Sequence, residues 1–164
     1  MLSSRAVIGQ EQTLAVIAKE ELMKFLDEAF DVACGRYSGS NFDQLDDADK
    51  ILVTIWSLEG DVNNGGFDQY YFNRSGDLAF YAPIALRRIG AHQMAQITDD
   101  ANKLFGPEGP ARQPDEREAQ LLAIAPNGSE LNPWDELDRA FQSYPDVISA
   151  LLTAFFQVRG HALE

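Results

Sequence analysis

Residues 62–73 read VNNGGFDQYYFN, two asparagines and two glycines followed by four aromatics around Gln69. Asparagine and glycine tolerate the positive φ that closes a helix. Phe67, Tyr70 and Tyr71 stand at i, i+3 and i+4, the spacing that puts three rings on one helical face. The stretch therefore predicts a corner between two helices, one closing near Glu59 and the next opening near Phe67. Gln69 and Asn73 are i, i+4 neighbours on the second helix, so the aromatics pack one way while the amides pair another. Gly65–Gly66 leaves room for a second backbone to approach closely. A buried amide network at such a corner is costly unless fully hydrogen-bonded, so it would hold either one helix arrangement or one bound ligand.

Working outward, the pattern is helical nearly throughout. Leu14, Ala18, Leu22, Phe25, Leu26, Ala29 and Ala33 form an apolar stripe with three-and-four spacing over 11–34, uninterrupted by Gly or Pro. Gly35, Ser38, Gly39, Ser40 and Asn41 predict its end in a loop. A second helix is expected over 46–60, capped by Asp46 or Asp47, apolar at Ala48, Ile51, Leu52 and Ile55, and stopped by Gly60. After the corner, Pro83 places a turn near Ala82 and a helix over 83–89. Further helices are expected over 90–106, 116–125, 134–142 and 147–158, with GPEGPARQP (106–114) and PNGSELNP (126–133) as loops. No convincing alternating strand pattern, internal repeat or low-complexity tract intervenes. The expected fold class is all-α, a single-domain bundle of about seven to nine helices over 1–164, with a helix and loop over 1–45 ahead of the rest.

A chain of 164 residues is long enough to build one core without disulfides or metal. No apolar run approaches the roughly 20 residues that span a bilayer, and MLSSRAVIGQEQ lacks the apolar stretch of a signal peptide. The expectation is a cytoplasmic protein with no membrane partner. Cys34 is the sole cysteine, which excludes an internal disulfide and reads as a buried core thiol. The outlier is charge. Twenty-six Asp and Glu against 13 Lys and Arg give a net charge of −13. Such a surface repels nucleic acid and anionic membranes and attracts basic proteins or cations.

Catalytic and metal chemistry find little support, and neither a catalytic group, a metal site nor a cofactor is expected. His92 and His161 have no ligand-spaced companion, so His92 reads as a capping or partly buried side chain and His161 as a solvated one. The nucleophile elbow, the phosphate loop and the dinucleotide fingerprint are all missing from the sequence. GDVNNGG would meet a phosphate with Asp61 and Asp68 and offers it no Lys or Arg. Asp46, Asp47 and Asp49 lack the turn glycine and closing Glu of a calcium loop.

VNNGGFDQYYFNRSGD, followed by APIALRRIGAHQMAQITDDANKLFG, resembles the Asn-Gly-Gly-aromatic signature and the helix after it in a bacterial family of DNA-mimic proteins. The likeness spans 47–158, with Trp56, Glu59, Asn64, Gly65, Gly66, Gln69, Asn73, Gly76, Ile89 and Gly90 at its centre. It implies an all-helical, acidic, dimeric protein without enzymatic activity, whose carboxylates imitate DNA phosphates. The implied partner is a basic DNA-binding protein such as a transcription factor, bound on its DNA-binding face. The acidic positions lie outside the signature and come from charge density. Between Asp27 and Asp68, ten acids face two bases, a local net charge of −8. From these the candidate partner-binding carboxylates are Asp27, Glu28, Asp31, Asp46, Asp47, Asp49, Glu59 and Asp61. A second cluster comprises Asp115, Glu116, Glu118, Asp135, Glu136 and Asp138. The rival expectation is a small-molecule binder or enzyme with a polar pocket built on Asn64, Gln69 and Asn73.

Overall fold

The long apolar stripes organise the chain around one central helix. A computed structural model describes residues 4–39, 41–126 and 131–158, and among these there are helices and turns but no strand. Helix α1 (Ser4–Gly39) leads through a 3-10 turn at Phe42–Gln44 into α2 (Asp47–Phe72). A second 3-10 turn at Arg74–Leu78 precedes α3 (Ala82–Arg88), α4 (His92–Lys103), α5 (Pro114–Ile124), α6 (Asp135–Gln142) and α7 (Ile148–Val158). This is the expected all-α bundle.

Helix α2 packs against α1, α3, α5, α6 and the 3-10 turn that follows it. Its centrality explains why Ile51, Leu52, Val53, Thr54 and Ile55 are all buried in succession, where a one-sided amphipathic helix would expose part of every turn. Asp46 is its N-cap, and its carboxylate accepts the Asp49 N–H at 2.8 Å. From α1, Leu26, Ala29 and Ala33 enter the core. The expected positions Leu14, Ala18 and Leu22 have side chains outside the described set, as does all of His161.

Three expected boundaries move. Helix α1 does not stop at Gly35 but runs on to Gly39. Helix α2 does not stop at Gly60; it continues to a sharp break at Gly65 (φ −152°, ψ 18°) and Gly66 (φ 77°, ψ −176°). A glycine inside a helix costs about 1 kcal/mol relative to alanine. Leu58 and Val62, flanking Gly60 and fully buried, offset that by more than enough to carry the helix through. The helix breaks only where the backbone takes a positive φ. Helix α5 begins at Pro114, slightly ahead of the expected Glu116, because proline suits the first helical turn.

Cys34 is half-buried and lines a surface cleft, a departure from the core thiol expected of it. His92 is exposed as the first residue of α4, and Ala91 holds the N-cap position. Among the described residues no helix is long and apolar enough to cross a membrane.

Candidate functional site

At the break in α2, the aromatic and polar residues separate onto different neighbours. Phe67, Tyr70 and Tyr71 are fully buried, and Phe67 stacks on Tyr71 at a centroid distance of 6.0 Å and meets Phe141 of α6 edge-on at 5.6 Å. Tyr71 also packs on Trp134 and donates its hydroxyl to Asn102 Oδ1 at 2.7 Å. The amides converge on Asp61. Gln69 Nε2 and Asn73 Nδ2 donate to Asp61 Oδ1 at 3.2 and 2.8 Å, and the Ser75 hydroxyl donates to Asp61 Oδ2. Asn64 Nδ2 completes the chain at Gln69 Oε1, 3.1 Å away. Asp61 thus collects three donors from beyond the break and ties the first half of α2 to the second.

Helix α6 holds the break from the other side. Asp138 and Gln142, four residues apart on one face, reach the two ends of the bent segment. Asp138 Oδ1 accepts the Phe67 N–H at 2.7 Å, a carboxylate cap on the first turn of the second half. Gln142 Nε2 donates at 2.9 Å to the Val62 carbonyl, whose in-line partner in a straight helix would be the Gly66 N–H. Asn132 Nδ2 donates to Asp138 Oδ2 at 2.9 Å, so both oxygens of this buried carboxylate are engaged. The glycines admit these contacts. A Cβ on Gly66 would lie 2.6 Å from Asp138 Oδ2, and one on Gly65 would collide with the folded-back Gln69 side chain. What approaches Gly66 is therefore a carboxylate, where the sequence had suggested a backbone.

Arg117 of α5 fixes the exit from the corner. It is 1 % exposed, and its guanidinium donates to the carbonyls of Tyr71 (2.6 Å), Asn73 (3.1 Å), Ala111 (2.8 Å) and Arg112 (3.2 Å) and to Asp77 Oδ1 (2.7 Å). All five N–H groups of an arginine are needed for such a set. Gly76 makes the approach possible, since a Cβ there would lie 2.7 Å from Arg117 Nε. One polar atom in this region is left over: the Tyr70 hydroxyl is buried without a hydrogen-bond partner.

The predicted partner-binding carboxylates fall into two groups. Asp49 is buried and pairs with Arg36 at 2.9 Å; Asp61 is the hub just described; Asp46 caps α2; Asp47 pairs with Arg88 at 2.6 Å. Glu59 is half-buried and accepts the Tyr144 hydroxyl at 2.7 Å. Burial pushes the Glu59 carboxyl up, and the bond from Tyr144 opposes that shift. The Tyr144 phenol is in turn pushed up to about 12, by burial first and then by that carboxylate. By contrast Asp27, Glu28 and Asp31 all stand exposed on α1, where only Glu28 has a cation, Lys24 at 3.7 Å. In the second cluster Asp115, Glu116, Glu118, Asp135 and Glu136 are exposed and Asp138 is the buried cap.

The amides of Asn64, Gln69 and Asn73 point at one another and at Asp61, and a cleft of about 740 Å³ lies elsewhere, between α1 and the start of α5. Sequence reasoning missed Arg117 and Gln142, and it placed Asp138 in an acidic cluster without its role as a buried cap. Only the i, i+4 spacing of the last two was visible, and nothing in it indicated which backbone they would meet.

A family model described as DMP19-like protein matches residues 43–161, well over half of the chain. No curated protein and no solved structure matches.

Proposed function

The chain belongs to the DMP19-like protein family, and on that premise we propose that it is a non-enzymatic acidic binding protein that mimics DNA. Its carboxylate-bearing helix faces would occupy the DNA-binding surface of a basic protein such as a transcription factor. The observation that carries this reading is the acidic outer face of α1. Over 20–31, Glu20, Glu21, Asp27, Glu28 and Asp31 are exposed there against one described cation, Lys24. Glu20, Asp27 and Asp31 follow one row of the helix, and Glu21 and Glu28 the adjacent row. At a rise of about 1.5 Å per residue, this segment carries about one net negative charge per 4 Å of axis. One strand of duplex DNA carries one per roughly 3.4 Å. A second copy in a homodimer would supply a second such track.

Charge replacement of this kind has a distinctive salt response, because a cationic groove that releases counterions to DNA releases them to a mimic as well. The test is capture of basic DNA-binding proteins at low ionic strength on the immobilised chain, followed by elution with salt or with duplex DNA. The expected result is a partner displaced by both and lost with the triple variant Asp27→Asn, Glu28→Gln, Asp31→Asn. A partner that binds the triple variant equally well, or one that duplex DNA fails to displace, would refute the reading.

A further inference from the structure

Most cations of this acidic chain are neutralised where they stand. Among the described side chains, Arg36, Arg87, Arg88, Arg117, Arg139, Lys24 and Lys103 each pair with a carboxylate. The described cations outside those pairs are Arg74, Arg112 and Lys50, of which Lys50 donates to the Asp43 carbonyl at 3.2 Å and the two arginines share one cleft. Arg74 and Arg112 line the 740 Å³ cleft between the C-terminal part of α1, the two 3-10 turns and the start of α5. Lys50 lies 5.8 Å from the centre of the Phe42 ring, which lines the same cleft. The Arg112 guanidinium sits 4.0 Å over the Phe80 ring, a contact that orients the charge without cancelling it.

The rest of the wall suits the same ligand chemistry. Asn41 and Gln113 present side-chain amides that make no capping bond to the helical turns they precede. Phe42 and Leu78 supply apolar surface. Of the two carboxylates on the wall, Asp77 is held by Arg117 and Asp43 is exposed. Tyr37 lines the cleft; burial first and then Asp77 push the pKa of its phenol up, while Arg74 and Arg112 both act to lower it, so the two guanidiniums bear on one point. The volume lies within the roughly 300–1,000 Å³ of small-ligand sites. A polyanion such as nucleic acid would be repelled by the surrounding surface, whereas a small anion inside the cleft sits within about one Debye length, 8 Å, of the arginines.

The geometry points to this cleft as a binding site for a small organic anion, its carboxylate or phosphate oxygens held by Arg74 and Arg112 and its apolar body laid on Phe42 and Leu78. The site is independent of the acidic face of α1 and goes beyond DNA mimicry.

Cys34, the sole cysteine, lines the cleft and reports on its occupancy. The probes are phenyl phosphate, benzoate and the uncharged benzyl alcohol, with Cys34 alkylation by iodoacetamide and amide NMR shifts as readouts. Saturable protection of Cys34 by phenyl phosphate or benzoate is expected, with shifts confined to 37–43, 74–78 and 112–114; whichever anion binds tighter identifies the head group. Benzyl alcohol should do neither. The ratio of iodoacetate to iodoacetamide rates, normalised to a free thiol, should fall on the order of tenfold in Arg74→Ala/Arg112→Ala. Both arginines are exposed, so that variant should melt like the parent, and Arg74→Lys/Arg112→Lys should retain part of the effect. If neither anion protects Cys34, or protection is unchanged in the folded double alanine variant, the proposal is overturned.

Discussion

The corner of α2 and the outer face of α1 use the same kind of side chain for opposite ends. At the corner, Asp61 gathers Gln69, Asn73 and Ser75, and Asp138 gathers Phe67 and Asn132, so each carboxylate is surrounded by donors from its own chain. On α1, Asp27 and Asp31 stand in solvent with no such donors. A charge whose hydrogen bonds are satisfied internally stabilises a fold and has little left to offer a partner. A charge left in water contributes little to stability and keeps its full field for something that approaches.

This contrast can be broken most severely at Arg117. Arg117→Met would strand Asp77 and four backbone carbonyls, and losing one partner of a buried pair typically costs about 3–5 kcal/mol; chemical denaturation should show that loss. Gly66→Ala comes next, since it combines a φ of 77° with a Cβ 2.6 Å from Asp138. Strain and overpacking together should cost about 2–4 kcal/mol by the same measurement. Tyr70→Phe sharpens the comparison with the opposite sign. Removing the one buried hydroxyl there that lacks a partner should leave stability unchanged or raise it by about 1 kcal/mol.

A smaller effect is expected at Glu59, whose carboxyl is pushed up by burial. A raised carboxyl favours the protonated folded state, so its contribution is fully present below the ordinary glutamate value of 4.5 and is lost as pH rises through the shifted value. Glu59→Gln should therefore match the parent below the ordinary value of 4.5, gain on it as pH rises from there through the shifted value, and hold that lead above it, in thermal melts taken across pH. The least effect on folding belongs to Asp27→Asn, Glu28→Gln, Asp31→Asn. Its melting temperature should stay within about 0.5 kcal/mol equivalent of the parent, while binding to a basic partner is lost.

Much of the corner was legible in advance because its signals are local. The i, i+3, i+4 rings at Phe67, Tyr70 and Tyr71 and the permissive glycines act over one or two helical turns, and the buried rings and the positive φ of Gly66 follow from them. The end of the first helix was misplaced at Gly60, because burial of Leu58 and Val62 depends on neighbours that no local pattern names. The role of Asp61 was hidden for a related reason. As one acid among ten in its region it looked like surface charge, and only the fold of the chain back through Gln69, Asn73 and Ser75 turns it inward.

By itself the sequence determined the helical class, the corner at VNNGG, the family likeness and the excess of negative charge, since each is set by spacing or composition along the chain. The tertiary structure alone decided which carboxylates are internal and which face outward. It also decided that Asp138 and Gln142 hold the broken helix from α6, and that Arg74 and Arg112 meet in one cleft. Those outcomes depend on groups far apart in sequence being brought within a few ångströms, where desolvation and hydrogen bonding, negligible between them in the extended chain, become the deciding terms.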